Sequence, residues 1–190
     1  VRAVLTRLAD ARLIITDADL ELVLTCLRRY ILLRSGKRAG IAAVSEEMPY
    51  EFVCALARQC FNTEYAFVSA MDEERLVKRL RTALKAALQQ PVASLPSRER
   101  SFVLAALYDS LDTQAGWERL PIDASQWSAP FKPILREQLS NRQREREIAA
   151  CLTAVTEVSD GVSQTVQQQY EENPYPRWVS LGRSPAMTVE

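Results

Sequence analysis

Along almost the whole chain, apolar residues return every three or four positions, and no stretch alternates apolar with polar over a strand's length. A chain patterned this way buries its apolar surface by packing helix against helix. An opening segment from Ala3 to Leu13 reads as helix. Thr16 or Asp17 is placed to cap a helix with Leu20, Val23, Leu24, Leu27, Tyr30 and Ile31 on one side, stopping at Ser35-Gly36. Pro49 suits the first turn of the next helix, whose Phe52, Val53, Leu56 and Cys60 should face inward, and Asn62 to Tyr65 interrupts it or begins another short helix. Asp72-Glu73-Glu74 opens a third helix with Leu76, Val77, Leu80, Leu84 and Leu88 on its apolar face. Its acids come first and Arg79, Arg81 and Lys85 later, which complements the helix dipole.

Pro91 closes that helix, and Ser97 begins another through Phe102, Val103, Leu107 and Leu111. Between Gly116 and Pro133 the chain turns irregular and carries Trp117 and Trp127. A short helix with Ile134, Leu135 and Leu139 follows. A polar run from Asn141 to Glu147 then leads into Ile148, Leu152 and Val155. Ser159 or Asp160 caps a last helix with Val162, Val166 and Tyr170. The pattern therefore predicts an all-α fold, an irregular array of about seven helices with short connections. Helix pairs of this kind also build solenoids, but the Trp and Gly positions of a tetratricopeptide consensus do not repeat here.

Composition narrows the chemistry. The chain has 190 residues and no histidine, which removes the commonest general base and zinc ligand and excludes any Ser-His-Asp or Cys-His arrangement. Lys+Arg and Asp+Glu balance at 24 each, so no overall field draws in nucleic acid or an anionic membrane. No apolar run approaches the roughly 20 residues of a membrane span, and the start lacks the pattern of a signal peptide, so a cytoplasmic setting is expected. Val1 reads as an internal residue of a longer chain. Cys26, Cys54, Cys60 and Cys151 show no Cys-x-x-Cys spacing and are expected as reduced, buried thiols.

Several clusters carry a functional and a plainer reading. Arg28, Arg29, Arg34, Lys37 and Arg38 could contact phosphate, but cations near a helix C-terminus complement its dipole, and no aromatic residues interleave with them. Glu46, Glu47, Glu51 and Asp72-Glu73-Glu74 read as solvated helix starts rather than metal ligands. Phe61, Tyr65 and Phe67 have the spacing of a packed aromatic group. Trp117 and Trp127 either cover the core or line a partner groove. An apolar groove between the helix of Phe52 and Leu56 and that of Leu76 and Leu80 would suit a peptide.

The last helix should stop near Glu172, because Pro174 and Pro176 each lack an N–H and push Asn173 and Tyr175 toward extended geometry. The run Tyr170-Glu171-Glu172-Asn173-Pro174-Tyr175-Pro176-Arg177-Trp178, with Asp160 to Gln164 before it, resembles a segment of bacterial tetratricopeptide-repeat-associated, S-adenosylmethionine-dependent methyltransferases. There it forms a strap ahead of a Rossmann-like catalytic domain. Phe52 to Tyr65, Phe67, Asp72-Glu73-Glu74 and Leu20 to Leu33 are similar to the helical region upstream of it. The order Asn-Pro-Tyr-Pro after a helix differs from the Asn-Pro-Pro-Tyr type of amine-holding tetrad, so the helix stop with aromatic anchors is the simpler reading.

The resemblance implies a helical domain over 1–172 and an extended linker over 173–190 toward an absent methyltransferase domain. No Gly-rich loop follows a strand, so no catalytic, cofactor-binding or metal residue is assigned here; S-adenosylmethionine is implied only for the parent protein. Tyr170, Asn173, Tyr175, Arg177 and Trp178 are implied as inter-domain or partner contacts. The expected function is a non-catalytic module that positions a substrate or partner. The alternative is a self-contained adaptor for a peptide or protein, and an independent enzyme using Tyr, Lys or carboxylate chemistry is a third reading. A module with two apolar faces could also dimerise in isolation, with Trp178 exposed.

Overall fold

The computed structural model describes residues 6–7, 17–38, 40–123, 125–152 and 161–172. Among these are seven α-helices, several short 3-10 turns and one two-stranded hairpin. The fold is all-α, as the periodicity predicts.

Helix α1 spans Ala18–Arg34. Asp17, not Thr16, is its cap: Asp17 Oδ1 accepts a hydrogen bond from the Leu20 N–H at 2.8 Å. Its inner face differs from the apolar pattern. Leu24, Arg28, Ile31 and Leu32 are buried, whereas Val23 and Tyr30 are about half exposed. The helix is rolled so that a charged residue, Arg28, sits at the centre of its inner face. At the far end the Ser35 hydroxyl donates to the Ile31 carbonyl at 2.6 Å, and Gly36 enters a strand rather than stopping the helix.

Strands β1 (Gly36–Arg38) and β2 (Ile41–Ala43) form an antiparallel hairpin with Lys37 opposite Ala42, turning at Gly40 with φ 82°. Three-residue strands are too short to show alternation, which is why the sequence pattern misses them. Ile41 and Ala43 are buried, and the Val44 N–H donates to the Arg100 carbonyl, fastening the hairpin to the next part of the core.

Two helices form the interior. Helix α2, Tyr50–Asn62, buries every residue from Phe52 to Asn62. After α3, Met71–Ala87, and a 3-10 turn over Val92–Arg98, helix α4, Glu99–Ala106, buries everything from Ser101 onward. A helix apolar around its circumference belongs inside a protein, and α2 and α4 pack on each other. Helix α3 buries Val77, Leu80, Leu84 and Ala87 at the predicted spacing and packs on α4, α1 and β2, with Leu76 half-buried at the edge. Ser97 does not cap α4: its hydroxyl donates to the Ser94 carbonyl inside the 3-10 turn. The start of α4 is held by the Glu99 carboxylate, which accepts from the Tyr50 hydroxyl and from the Ser128 N–H and hydroxyl.

The stretch predicted to be irregular is so. Trp127 settles one of its ambiguities by covering the core: it is 2% exposed, stands edge-on to Phe102 and Phe131, and donates through Nε1 to the Pro121 carbonyl at 2.7 Å. Trp117 is half-buried against the same core. Helix α5, Lys132–Leu135, passes through a π-turn over Arg136–Ser140 into α6, Asn141–Cys151. Ile134, Leu135 and Leu139 are fully buried, but no residue of α6 is. Helix α7 spans Gly161–Glu172, and Val166 and Tyr170 on it are exposed.

The contrast between the buried interior and the exposed helix α6 with Leu152 just beyond it is measurable. Trp127→Ala should lower the unfolding free energy by about 3–5 kcal/mol in urea titration. Leu152→Ala, just beyond α6, should change it by no more than about 0.5 kcal/mol.

Candidate functional site

The most unusual group of side chains surrounds Arg28, whose side chain is 1% exposed. Its Nη2 donates to the Val68 carbonyl at 3.1 Å and lies 3.3 Å from Glu73 Oε1. The guanidinium carbon sits 3.5 Å from the centre of the Phe67 ring and 4.4 Å from that of Tyr108, so aromatic faces take the place of water. The Tyr108 hydroxyl donates to Glu73 Oε1 at 2.8 Å. Glu73, expected as part of a solvated helix start, is instead 2% exposed and does three things at once. It pairs with Arg28, accepts from Tyr108, and through Oε2 accepts from the Ala70 N–H at 2.9 Å to cap α3.

Phe61, Tyr65, Phe67 and Tyr108 form a chain of edge-to-face rings around this pair, so the predicted aromatic group is packed, with one member the sequence spacing did not suggest. Burial holds the hydroxyls of Tyr65 and Tyr108 well above their ordinary pKa, so both stay protonated. Burial also raises the Cys60 thiol to about 12, with the Arg28 charge offsetting part of the rise. Cys54 is likewise raised to about 12 by burial. Cys26 and Cys151 are exposed, correcting the expectation that the thiols are buried; the four cysteines are free.

The other interior charges are also paired. Arg58 meets Glu137 through two bonds of 2.9 and 2.8 Å, joining α2 to the π-turn. Asp112 is buried beneath Arg142 and Arg146 of α6. A nucleophile or general base needs a tuned pKa and access to substrate. The thiols of Cys54 and Cys60 and the hydroxyls of Tyr65 and Tyr108 are instead held protonated by burial.

The basic cluster does not converge on one surface. Arg28 points into the protein, Arg29 pairs with Asp72 at 2.8 Å, and Arg38 pairs with Glu46 at 3.3 Å. Among the described residues no group of three or more His, Cys, Asp or Glu could hold a metal ion, and no helix is long and apolar enough to cross a membrane. Phe52, Leu56 and Leu80, expected to border a groove, are core residues. The open cleft, which Leu56 also lines, lies between α1 and α2. Of the strap residues, Tyr170 is on α7 and 67% exposed, while Asn173, Tyr175, Arg177 and Trp178 lie outside the described residues. Compared with known proteins, the chain matches no family model, no curated protein and no solved structure.

Two measurements follow from this geometry. Arg28→Met or Glu73→Gln alone should cost about 3–5 kcal/mol of stability, and the double variant distinctly less than their sum. Raising the pH through the range from about 9 to about 12 should weaken the fold. There the thiols of the unfolded chain ionise while Cys54 and Cys60 in the folded protein keep their protons. A thiol reagent at pH 8 should accordingly label Cys26 and Cys151 quickly, and Cys54 and Cys60 only on unfolding.

Proposed function

We propose that this chain is the non-catalytic helical module of an S-adenosylmethionine-dependent methyltransferase, holding a substrate or partner in place for a Rossmann-like catalytic domain. The observation that carries this reading is the arm. Helix α6 buries none of its 11 residues, and α7 exposes Val166 and Tyr170 four positions apart on one face. A helix with an uncovered apolar stripe is built to be covered by another folded surface. That stripe leads directly into Asn173 to Trp178, the segment that resembles the methyltransferase strap. The paired interior charges and protonated buried hydroxyls and thiols support assigning the chemistry to a companion domain.

The second reading, an adaptor for a peptide or protein, is favoured by the open cleft beside α1.

The reading frame beyond Glu190 should encode a hydrophobic strand and a Gly-x-Gly loop. In a protein carrying both parts, Tyr170→Ala combined with Val166→Asp should lower methyl transfer at least about tenfold. The unfolding midpoint of the helical chain alone should not move. A stop codon directly after Glu190, or micromolar S-adenosylmethionine binding by the 190-residue chain in calorimetry, would overturn the reading.

A further inference from the structure

Between α1 and the turn that follows α2 is a cleft of about 50 Å³ whose walls include Leu24, Thr25, Arg28, Cys60, Thr63 and Phe67. It shares Thr25, Ala66 and Phe67 with a shallower groove of about 430 Å³ that continues past Leu22 and Val68. Together they form an inner pocket with an outer channel.

An unmet hydrogen-bonding demand singles this place out. Arg28 Nε and Nη1 are buried and have no partner, although the side chain is 1% exposed. Buried donors are nearly always satisfied, and one left without an acceptor is costly. The guanidinium lies against Phe67 and close enough to Cys60 to influence its thiol, and both residues line the cleft. The turn beside it is strained: Glu64 and Tyr65 have φ of 48° and 57°, a region that non-glycine residues seldom adopt. It is held there by the Tyr65 N–H donating to the Cys60 carbonyl at 2.9 Å. Strain of this kind concentrates at binding sites.

Charge and volume then select the ligand. Arg28 is already balanced by Glu73, and Glu21 lines both cleft and groove. An anion would be repelled by Glu21 and would compete with Glu73 for Arg28; a neutral acceptor is spared both. A cavity of about 50 Å³ admits a group of acetyl size and falls short of the roughly 150 Å³ that accepts benzene. The Thr63 hydroxyl donates back to the carbonyls of α2, leaving lone pairs to accept an amide N–H.

We propose that the cleft and groove bind a neutral acyl amide: an acetyl-sized carbonyl head followed by an extended chain, as in the acetylated lysine or acetylated amino terminus of a peptide. The carbonyl oxygen accepts from Arg28, the methyl group packs against Leu24, and the chain runs out past Leu22 and Val68. This inference does not rest on the methyltransferase reading.

The test is an NMR titration of the full chain. N-butylacetamide should shift the amide resonances of Thr25, Cys60, Thr63 and Phe67 saturably at millimolar concentration, the range open to so small a probe. Hexanoate, of similar length but anionic, should bind at least about tenfold more weakly. Thr25→Phe fills the mouth and leaves the Arg28–Glu73 pair intact, so it should abolish the shifts with an unchanged unfolding midpoint. Peptides acetylated either on lysine or at the amino terminus separate the two sources. One of them should bind more tightly than N-butylacetamide, and its unacetylated form should not bind. Hexanoate binding as well as the amide, persistence of the shifts in Thr25→Phe, or no movement of those resonances would overturn the proposal and leave a cleft that holds only water.

Discussion

A guanidinium withdrawn from water needs compensation from the protein around it, and Arg28 takes it from four sources at once. The Glu73 carboxylate comes from α3, the Val68 carbonyl and Phe67 ring from the segment after α2, and the Tyr108 ring from just beyond α4. Each belongs to a different part of the chain, so a single side chain on α1 sets the positions of three others. Glu73 extends the constraint, since its second oxygen caps α3 and fixes where that helix begins. Apolar packing tolerates sliding by a turn; a desolvated ion pair clasped between two rings does not.

The same economy governs the rest of the interior. With α2 and α4 buried on nearly all sides, every polar group they bring inside needs a specific partner. The π-turn over Arg136–Ser140 meets part of that need. It rotates Glu137 to face Arg58 and Gln138 to accept the Leu111 N–H at 3.0 Å, while Leu139 stays in the core. Order in the core is thus secured by groups that resemble catalytic machinery in composition but are occupied in holding helices together.

Much of the fold is legible in the order of residues. The stripe Val77, Leu80, Leu84 and Leu88 is read correctly because nothing polar interrupts it, and Pro49 and Pro91 mark boundaries through their missing N–H. What escapes reading has a common cause: it depends on partners distant in sequence. Arg28 counts as an outward residue until Glu73, 45 positions later, is known to face it, and the misplaced Val23 and Tyr30 follow from that one error. Glu73 reads from sequence as a solvated acid for the same reason. The hairpin was too short to carry a period, and the π-turn leaves no local signature. The inner cleft was invisible because its defining feature is an absence, two nitrogens of Arg28 without acceptors. Of the strap residues singled out by resemblance, only Tyr170 lies in the described part, where it is exposed.

Body and arm therefore divide the work. The body packs its helices around a common core and holds a small cleft between α1 and α2; α6 and α7 leave Ile148, Val166 and Tyr170 exposed. The clasp of α1 onto α3 and onto the segments after α2 and α4 rests on Arg28 being held against Phe67 and Tyr108. Nitrogen-15 NMR of the arginine side chains tests that directly. The Arg28 guanidinium should give resonances moved upfield by the two rings, with slow rotation about its Cζ–Nη bonds and slow exchange with water. An Arg28 signal that is unshifted and averaged like those of exposed Arg34 and Arg144 would contradict the account.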